Sequence, residues 1–258
     1  MGTIRAVIFD VDGTLVDSND QHARAWVEAL AEYGYKVPVE QVRPLIGMGG
    51  DKVLPILTGL SADEPKGKKI AERRDAIFAD KYLPQVRPLP GARDLLLRLK
   101  GDGVKLAVAS SSAKDLLKRL LNIVGAPNVF EKAASGDDAE DSKPDPDIVH
   151  AALESLQGPP DAVAMIGDTP YDVEAARRAK VRPIAFRSGG WKDDDLKGAT
   201  EIYDGPEDLR QRLDDSSIGR AASRTSGVRM ARGWTARPLG NRRVEIRTAA
   251  SARDRARA

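Results

Sequence analysis

The sequence predicts an α/β protein whose core is a doubly wound, parallel, Rossmann-like sheet. Short apolar runs alternate with amphipathic helical patterns along most of the chain, and this alternation is typical of parallel sheets. The first run is apolar at consecutive positions, as expected for a strand that is buried on both faces. The predicted strands span residues 4–9, 105–109, 132–134, 163–166 and 182–186, and the predicted helices between them span 92–100, 114–124, 146–156 and 171–179, with a weaker strand–helix pair around 201–213.

An all-helical segment interrupts this alternation between the first and second strands. A helix that starts before Ala23 and is ended by Gly34 is followed by helical patterns over 39–46, 51–57 and 64–82. The segment Pro88-Leu89-Pro90-Gly91 then predicts a stiff return to the sheet. We therefore predict a core of residues 1–17 and 87–215, with a helical cap of residues 18–86 inserted into it.

The composition excludes several classes of protein. The 258 residues are 41% hydrophobic, which is enough for a sizeable core, and no run approaches the roughly 18 apolar residues needed to span a bilayer. The chain enters the first strand without a basic-then-apolar leader, so we expect a cytoplasmic protein without membrane contact. It has no cysteine, which excludes disulfides and thiolate nucleophiles, and its only histidines are His22 and His150.

Residues 216–258 form a basic tail. They contain 11 Arg and no Lys, with Glu245 and Asp254 as the only acidic residues, so their net charge is +9 against −7 for residues 1–215. Isolated apolar residues cannot bury enough surface to offset the ordering entropy, and we predict a disordered C-terminal tail. Its arginines could bind a nucleic-acid backbone, although the tail has no RGG repeat and no helical basic stripe.

Two carboxylates follow the first predicted strand. Asp10 and Asp12 lie at its carboxyl end, where open α/β sheets bind their ligands. Gly13 permits a sharp turn there, and the Thr14 hydroxyl can bond to a neighbouring backbone group. An Asp-rich turn without a catalytic role is the alternative.

Further polar residues follow two other strands and precede a helix. Ser110 and Ser111 come after the strand at 105–109 and offer hydroxyl and backbone N–H groups to a phosphate oxygen. Lys143 lies just before the helix at 146–156, and Asp168 and Asp172 follow the strand at 163–166. Asp10 and Asp168 together supply oxygen ligands suited to Mg²⁺, and Lys143 would offset the negative charge when a phosphate monoester enters. Each feature alone also fits helix capping or a solvated charge.

The stretch Asp10-Val11-Asp12-Gly13-Thr14, together with Ser110, Lys143, and Gly167-Asp168 followed by Asp172, resembles the four motifs of the haloacid dehalogenase superfamily over residues 4–213. The insert is similar to the helical C1 cap of phosphoglycolate phosphatases and β-phosphoglucomutases.

The resemblance implies a role for each motif residue. Asp10 would be the nucleophile that forms an aspartyl phosphate, and Asp12 would be the general acid and base, with its backbone carbonyl on the metal. Ser110 would hold a phosphate oxygen, and Lys143 would bridge the nucleophile and the phosphate. At the fourth motif, Asp168 would ligate Mg²⁺ and Asp172 would support the metal shell.

Asp12 favours phosphoryl transfer within this superfamily. Dehalogenases that resemble this chain lack a carboxylate at that position because a halide leaves without a proton, whereas an alkoxide leaving group needs one. His22 belongs to a segment similar to the start of the mutase cap. However, Ile46 and Gly50 stand where mutase-like proteins carry a lysine and an arginine, and Gly167-Asp168 with Asp172 is a phosphatase-like arrangement.

We therefore predict a Mg²⁺-dependent phosphatase that hydrolyses a small phosphorylated metabolite through an aspartyl-phosphate intermediate. The alternatives are a sugar phosphomutase and, less favoured, an RNA-binding protein that acts through its tail. In the cap, Arg43 and Lys52 are candidate partners for an anionic group of the substrate and His22 is a further candidate, with solvated charges and a packed histidine as the alternatives. The sequence leaves the substrate and the oligomeric state open.

Overall fold

A computed structural model describes residues 3–219 and contains the predicted parallel sheet. Its six strands lie in the order β5-β4-β1-β6-β7-β8, and every neighbouring pair is parallel. The first strand along the chain is therefore central, between β4 and β6, at the point where the strand order reverses. The strands are β1 (Ala6–Phe9), β4 (Lys105–Ala109), β5 (Lys132–Ala134), β6 (Val163–Gly167), β7 (Arg182–Phe186) and β8 (Glu201–Tyr203).

Helices cover both faces of this sheet. Val7 and Phe9 of β1 belong to one apolar cluster, together with residues of α5, α6 and α9, whereas Ala6 and Ile8 belong to a second cluster with residues of α7 and α8. Because alternate residues of a strand point to opposite faces, this division confirms the doubly wound arrangement. The helices are α5 (Ala92–Gly101), α6 (Lys114–Val124), α7 (Asp147–Leu156), α8 (Pro170–Arg178) and α9 (Pro206–Gln211).

Residues 18–86 contain helical elements and no strand, as predicted. They comprise α1 (Asn19–Glu32), α2 (Val39–Val42), α3 (Gly50–Thr58) and α4 (Pro65–Ile77), with 3₁₀ turns at Arg43–Leu45 and Leu83–Gln85. Two helices are shorter than predicted. The helix expected over 39–46 changes to a 3₁₀ turn at Pro44, which has no N–H for the α-helical ladder. The helix expected over 64–82 becomes a π-helical turn at Phe78–Tyr82.

A two-stranded antiparallel ribbon, which the sequence analysis missed, joins the insert to the sheet. It pairs β2 (Val16–Asp17) with β3 (Arg87–Pro88). Strands of two residues are too short to show a periodic pattern. The chain enters and leaves the insert through the two strands of this ribbon, which lie at the predicted limits of the insert. The division into core and cap stays a prediction.

The insert rests on the carboxyl edge of the sheet through polar contacts. Arg43 donates to the Gly189 carbonyl at 2.8 Å, and the Tyr171 hydroxyl donates to the Pro44 carbonyl at 2.8 Å. The Gly49 N–H donates to the Ser142 hydroxyl at 3.0 Å. These contacts place the loop before α3 directly over the loop that carries Lys143.

The packed core extends beyond the predicted start of the tail. Ser216 and Ile218 are buried, Ile218 belongs to the larger apolar cluster, and the Ser216 hydroxyl donates to the Leu213 carbonyl at 2.6 Å. The prediction that disorder begins at residue 216 is therefore wrong for residues 216–219. The rest of the predicted tail, with its proposed nucleic-acid contacts, lies outside the described residues. Among residues 3–219, no helix is long and apolar enough to cross a membrane.

Two adjacent leucines of α5 test the assignment of the core. Leu96 is fully buried, whereas Leu97 is 42% exposed. We expect Leu96→Ala to lower the free energy of unfolding by about 2–5 kcal/mol, because it leaves a cavity in the core. Leu97→Ala should change it by about 0.5 kcal/mol or less. Chemical denaturation measures both, and equal losses would contradict this packing.

Candidate active site

Asp10 lies at the centre of the carboxyl edge of the sheet. Its backbone N–H donates to the Ile166 carbonyl at 2.9 Å, which continues the pairing of β1 with β6 beyond the end of the strand. Gly13 then turns the chain at a φ of 75°. A Cβ at Gly13 would lie 2.2 Å from both Asn19 Nδ2 and Asp168 Oδ2, so glycine is required by space as well as by conformation.

Three buried carboxylates meet at this edge. One carboxylate oxygen from each of Asp10, Asp168 and Asp172 lies within 4.8 Å of the corresponding oxygens of the other two. The Thr14 hydroxyl contacts both Asp168 Oδ1, at 3.0 Å, and Asp10 Oδ2, at 3.3 Å. The strand ends therefore bring together the carboxylates of the first and fourth predicted motifs.

Lys143 is the cation of this cluster. Its side chain is 1% exposed, and Nζ donates to Asp10 Oδ1 at 2.5 Å and to Asp172 Oδ1 at 2.8 Å. Burial lowers the pKa of Lys143, but the charges of the two carboxylates outweigh burial and raise it above its usual range. Lys143 is therefore held as a cation between the two aspartates.

Asp172 is occupied by protein donors at both oxygens. Besides Lys143 on Oδ1, Oδ2 accepts from the Thr169 hydroxyl at 2.6 Å and the Thr169 N–H at 3.1 Å, which forms the capping box of α8. The structure thus fixes Asp172 as a partner of Lys143 at the start of a helix.

The cluster carries excess negative charge. Burial is the main cause that raises the pKa of Asp10 well above its usual range, against the lowering effect of Lys143. Burial and the nearby Asp172 raise the pKa of Asp168 to about 7, although Asn19 and Thr14 donate to it. Within the described residues, one lysine faces three buried carboxylates, so this donor set fits a divalent cation with oxygen ligands such as Mg²⁺.

The Asp12 carboxylate points away from the other three. Oδ1 accepts from the Ser18 hydroxyl at 2.6 Å and lies 2.8 Å from His22 Nε2, while Oδ2 accepts from the Ser112 hydroxyl at 3.1 Å. Burial raises the pKa of Asp12, but the charge of His22 and the hydrogen bonds outweigh burial and hold the pKa well below its usual range. The four predicted aspartates thus divide into a group of three and a separate Asp12.

His22 packs against an aromatic ring and also contacts Asp12. Its ring stacks on Phe78 with the centroids 3.8 Å apart and the planes 2° from parallel, while Nε2 contacts Asp12. Phe78 is the first residue of the π-helical turn, so the change from α to π geometry occurs where the insert supports His22. His22 lines the cavity beside Asp12.

The structure places the two serines that were predicted to bind phosphate, Ser110 and Ser111, in different surroundings. The fully buried Ser110 accepts at its hydroxyl oxygen from the Ser112 N–H at 3.2 Å, and it does not line the cavity. Ser111 does line it, and its buried hydroxyl has no partner within the described part of the chain. Ser111 therefore belongs to the cavity wall and Ser110 does not, and the role of both serines stays a prediction.

A cavity of about 290 Å³ lies between the sheet edge and the insert. This is at the small end of the range for ligand pockets and suits a small metabolite. The loops of the sheet contribute Asp10, Asp12, Ser111, Ser112 and Lys143 to its wall, and the insert contributes His22, Trp26, Ile46, Met48 and Arg74.

Arg43 and Lys52, the two cations that the sequence analysis placed near the substrate, do not line this cavity. Arg43 Nε donates to Asp20 at 2.7 Å, and its Nη2 donates to the Gly189 carbonyl. Lys52 forms an ion pair with Asp145. Nearby carboxylates and a carbonyl accept the hydrogen bonds of both side chains. These contacts connect Arg43 to another residue of the insert, and they connect both side chains to the loops of the sheet.

The structure adds two residues that the sequence analysis missed. Asn19 Nδ2 donates to Asp168 Oδ2 at 2.8 Å, whereas its position at the start of a helix suggests only a cap. Arg74 lines the cavity from α4. A sequence signal for Arg74 exists, because it lies four residues after Ile70 and three before Ile77, on the apolar face of the helix.

Comparison with known proteins agrees with this geometry. Residues 7–186 match the model of the family described as haloacid dehalogenase-like hydrolases. A phosphoglycolate phosphatase of Aquifex aeolicus is 33% identical over 181 residues, which cover 68% of this chain and 81% of that protein. A phosphorylated carbohydrates phosphatase of Thermotoga maritima is 30% identical over 188 residues, covering 70% and 84%.

Solved structures with a similar fold lead to the same family. The crystal structure of a hydrolase from Pseudomonas syringae superposes with a TM-score of 0.76 at 31% identity, covering 81% of this chain and 98% of that one. The chain therefore belongs to the haloacid dehalogenase-like hydrolases. The recognition made from the four motifs is confirmed, and the protein is a hydrolase of this family.

Without divalent cations, we expect Asp168→Asn to be more stable than the wild type at pH 8. Burial raises the pKa of Asp168 from its usual 3.8 to about 7, so the folded state binds this proton more tightly than the unfolded state. The wild type should therefore lose stability, on the order of a few kcal/mol, as the pH rises from about 4 to about 7. The asparagine variant lacks this loss.

Denaturant unfolding in EDTA at pH 5 and pH 8 measures the difference. Asp63→Asn is a matched control because Asp63 is exposed, and its effect should be small at both pH values. A wild type as stable as Asp168→Asn at pH 8 would contradict the unfavourable burial of Asp168.

Proposed function

We propose that this protein is a Mg²⁺-dependent phosphatase that hydrolyses a small phosphate monoester through an aspartyl phosphate on Asp10. The observation that carries the proposal is the placement of Asp10, paired with Lys143 at 2.5 Å, in the same cavity as a separately held Asp12. One carboxylate is thus available for attack and another for proton transfer, as two successive displacements require. The phosphatase relatives support the same chemistry.

In the first step, a carboxylate oxygen of Asp10 attacks phosphorus and the bond from phosphorus to the leaving oxygen breaks. Asp12 gives a proton to that oxygen, which departs as an alcohol. In the second step, water attacks the phosphorus of the aspartyl phosphate, Asp12 takes a proton from the water, and the bond to Asp10 breaks to release inorganic phosphate.

Asp12 needs a different protonation state in each step. Its lowered pKa in the free enzyme matches the base of the second step. A phosphate dianion that enters the cavity raises the proton affinity of the nearby carboxyl, because like charges disfavour the ionised form. Ser18, His22 and Ser112 would hold the carboxyl in position during both steps.

Lys143 and the serine loop would hold the phosphate. The Lys143 ammonium would neutralise a phosphate oxygen next to Asp10, and the unpartnered Ser111 hydroxyl would donate to another. Asp10, Asp168 and the backbone carbonyl of Asp12 would hold Mg²⁺, with Asp172 fixing Lys143 beside them. The metal would supply further neutralisation of charge at the phosphoryl group.

Residues 18–86 would act as a cap that excludes water from the cavity and opens for product release. The loop before α3 also favours a phosphatase over a sugar phosphomutase. Ile46 and Gly50 line the cavity at the positions where mutase-like proteins carry cations, so this loop lacks the two charges typical of the mutases. The expected partner is therefore a small phosphorylated metabolite, with water as the phosphoryl acceptor.

We expect Asp10→Asn to reduce phosphate release by at least about 10³-fold, because an amide is not a nucleophile for phosphorus. Release of inorganic phosphate from a panel of small phosphate monoesters, in the presence of Mg²⁺, measures the loss. Asp17→Asn is the matched control, since Asp17 lies in the same stretch but is exposed on the ribbon. Normal turnover by Asp10→Asn, or a wild type that EDTA leaves unaffected, would refute the mechanism.

A second variant separates the two steps. With p-nitrophenyl phosphate, whose leaving group needs little protonation, we expect Asp12→Asn to release about one equivalent of p-nitrophenolate per enzyme and then turn over slowly. The aspartyl phosphate forms in this variant, but no base activates water. Rapid-mixing absorbance measures the burst, and unchanged steady-state turnover would exclude Asp12 as the base.

A further inference from the structure

Arg74 carries an unused hydrogen-bond donor in the wall of the cavity. The side chain lies on α4 and is only 18% exposed. Nη1 donates to Asp75 at 2.6 Å, whereas Nε is buried and has no hydrogen-bond partner among residues 3–219. A buried charged donor without a partner is unfavourable, and Arg74 lines the cavity, so an anion bound there would supply the guanidinium with an acceptor that the protein does not provide.

The indole of Trp26 helps to fix the Arg74 side chain. The guanidinium carbon lies 5.1 Å from the centre of the Trp26 ring, and Trp26 is itself buried and part of the cavity wall. A guanidinium held against an aromatic ring loses little further freedom when it binds an anion. Arg74 is therefore positioned before a ligand enters.

The other charges of the cavity leave this role to Arg74. Of the cations that line it, Lys143 is already paired with Asp10 and Asp172 in the sheet. The lining acids are partly occupied by the protein: Asp51 accepts from the Ser142 N–H, and Asp137 accepts from the Lys114 N–H. Asp75 is bonded to Arg74 itself, and Glu140 is exposed.

We propose that Arg74 binds a second anionic group of the substrate, so that the preferred substrates are small phosphate monoesters that also carry a carboxylate or a second phosphate. The inference rests on the proposed phosphatase function and adds the class of substrate. The phosphate that reacts lies against Asp10 and Lys143, and the second anion meets the guanidinium from the side of the insert. Carboxylates and phosphates both match the planar donor pattern of arginine.

Matched pairs of substrates test this preference. Phosphoglycolate ends in a carboxylate, where 2-hydroxyethyl phosphate has a neutral hydroxymethyl group. Fructose 1,6-bisphosphate carries a second phosphate that fructose 6-phosphate lacks. The wild type should have the higher kcat/KM for the anionic member of at least one pair. Selectivity within the first pair assigns a carboxylate, and selectivity within the second assigns a phosphate.

The variant Arg74→Met should reduce the ratio of kcat/KM values within the selective pair about 10- to 100-fold, as expected for the loss of a charge-assisted hydrogen bond. The ratio does not depend on the fraction of folded enzyme, so a partly unfolded variant still gives a valid result. Arg74→Lys should restore part of the selectivity because it keeps the charge without the fork.

Arg73→Met is the matched control. Arg73 is the preceding residue of α4, but it is 45% exposed and forms an ion pair with Glu32 on α1, away from the cavity wall. This variant should leave the ratio unchanged. An unchanged ratio in Arg74→Met, or a wild type that hydrolyses neither anionic substrate, overturns the proposal for Arg74.

The proposed phosphatase function has a separate outcome. If Arg74→Met keeps the wild-type ratio while Asp10→Asn abolishes phosphate release from the other monoesters, the phosphatase function stands and only the assignment of Arg74 fails. If the wild type releases no phosphate from any monoester with Mg²⁺, both fail.

Discussion

The buried pairing of Lys143 with two carboxylates is the interaction on which the rest of the site depends. Taking these charges out of water is costly, and the cost is offset only because Asp10 and Asp172 both lie within hydrogen-bonding distance of the ammonium. The parallel sheet makes this possible, since it delivers β1 and β6 to one edge and starts α8 beside them. Burial and the neighbouring carboxylates raise the pKa values of Asp10 and Asp168, and this excess of negative charge makes the edge suitable for a cation.

Asp12 depends on three different parts of the chain. Ser18 follows the ribbon, His22 belongs to the first helix of the insert, and Ser112 belongs to the loop after β4. Any movement of the insert relative to the sheet therefore changes the hydrogen bonds of the carboxyl that is proposed to move the proton. This arrangement would link closure of the proposed cap to proton transfer by direct contacts, without any long-range pathway.

The cations of the insert show why charge type alone does not locate a binding residue. Arg43 and Lys52 are close in sequence to the loop over the cavity, yet nearby acceptors hold both outside its wall. Arg74 is remote from that loop in sequence and lies on an otherwise apolar helix face, which turns it inward against Trp26. An arginine on an apolar face has few protein acceptors to meet, and the Nε of Arg74 has no partner among residues 3–219.

The sequence by itself determined the doubly wound sheet and the identity of its functional strand ends. Continuous apolar runs followed by polar residues are local patterns, and parallel strands bring their carboxyl ends to one edge whatever the loops do. Only the tertiary structure decided which residues line the cavity: of the two predicted serines Ser111 does so, and Arg74 lines it whereas Arg43 and Lys52 do not. It also decided that the chain remains packed through Ile218. Side-chain direction in loops and the choice of ion-pair partner depend on contacts between segments far apart in the chain, and no local pattern records those contacts.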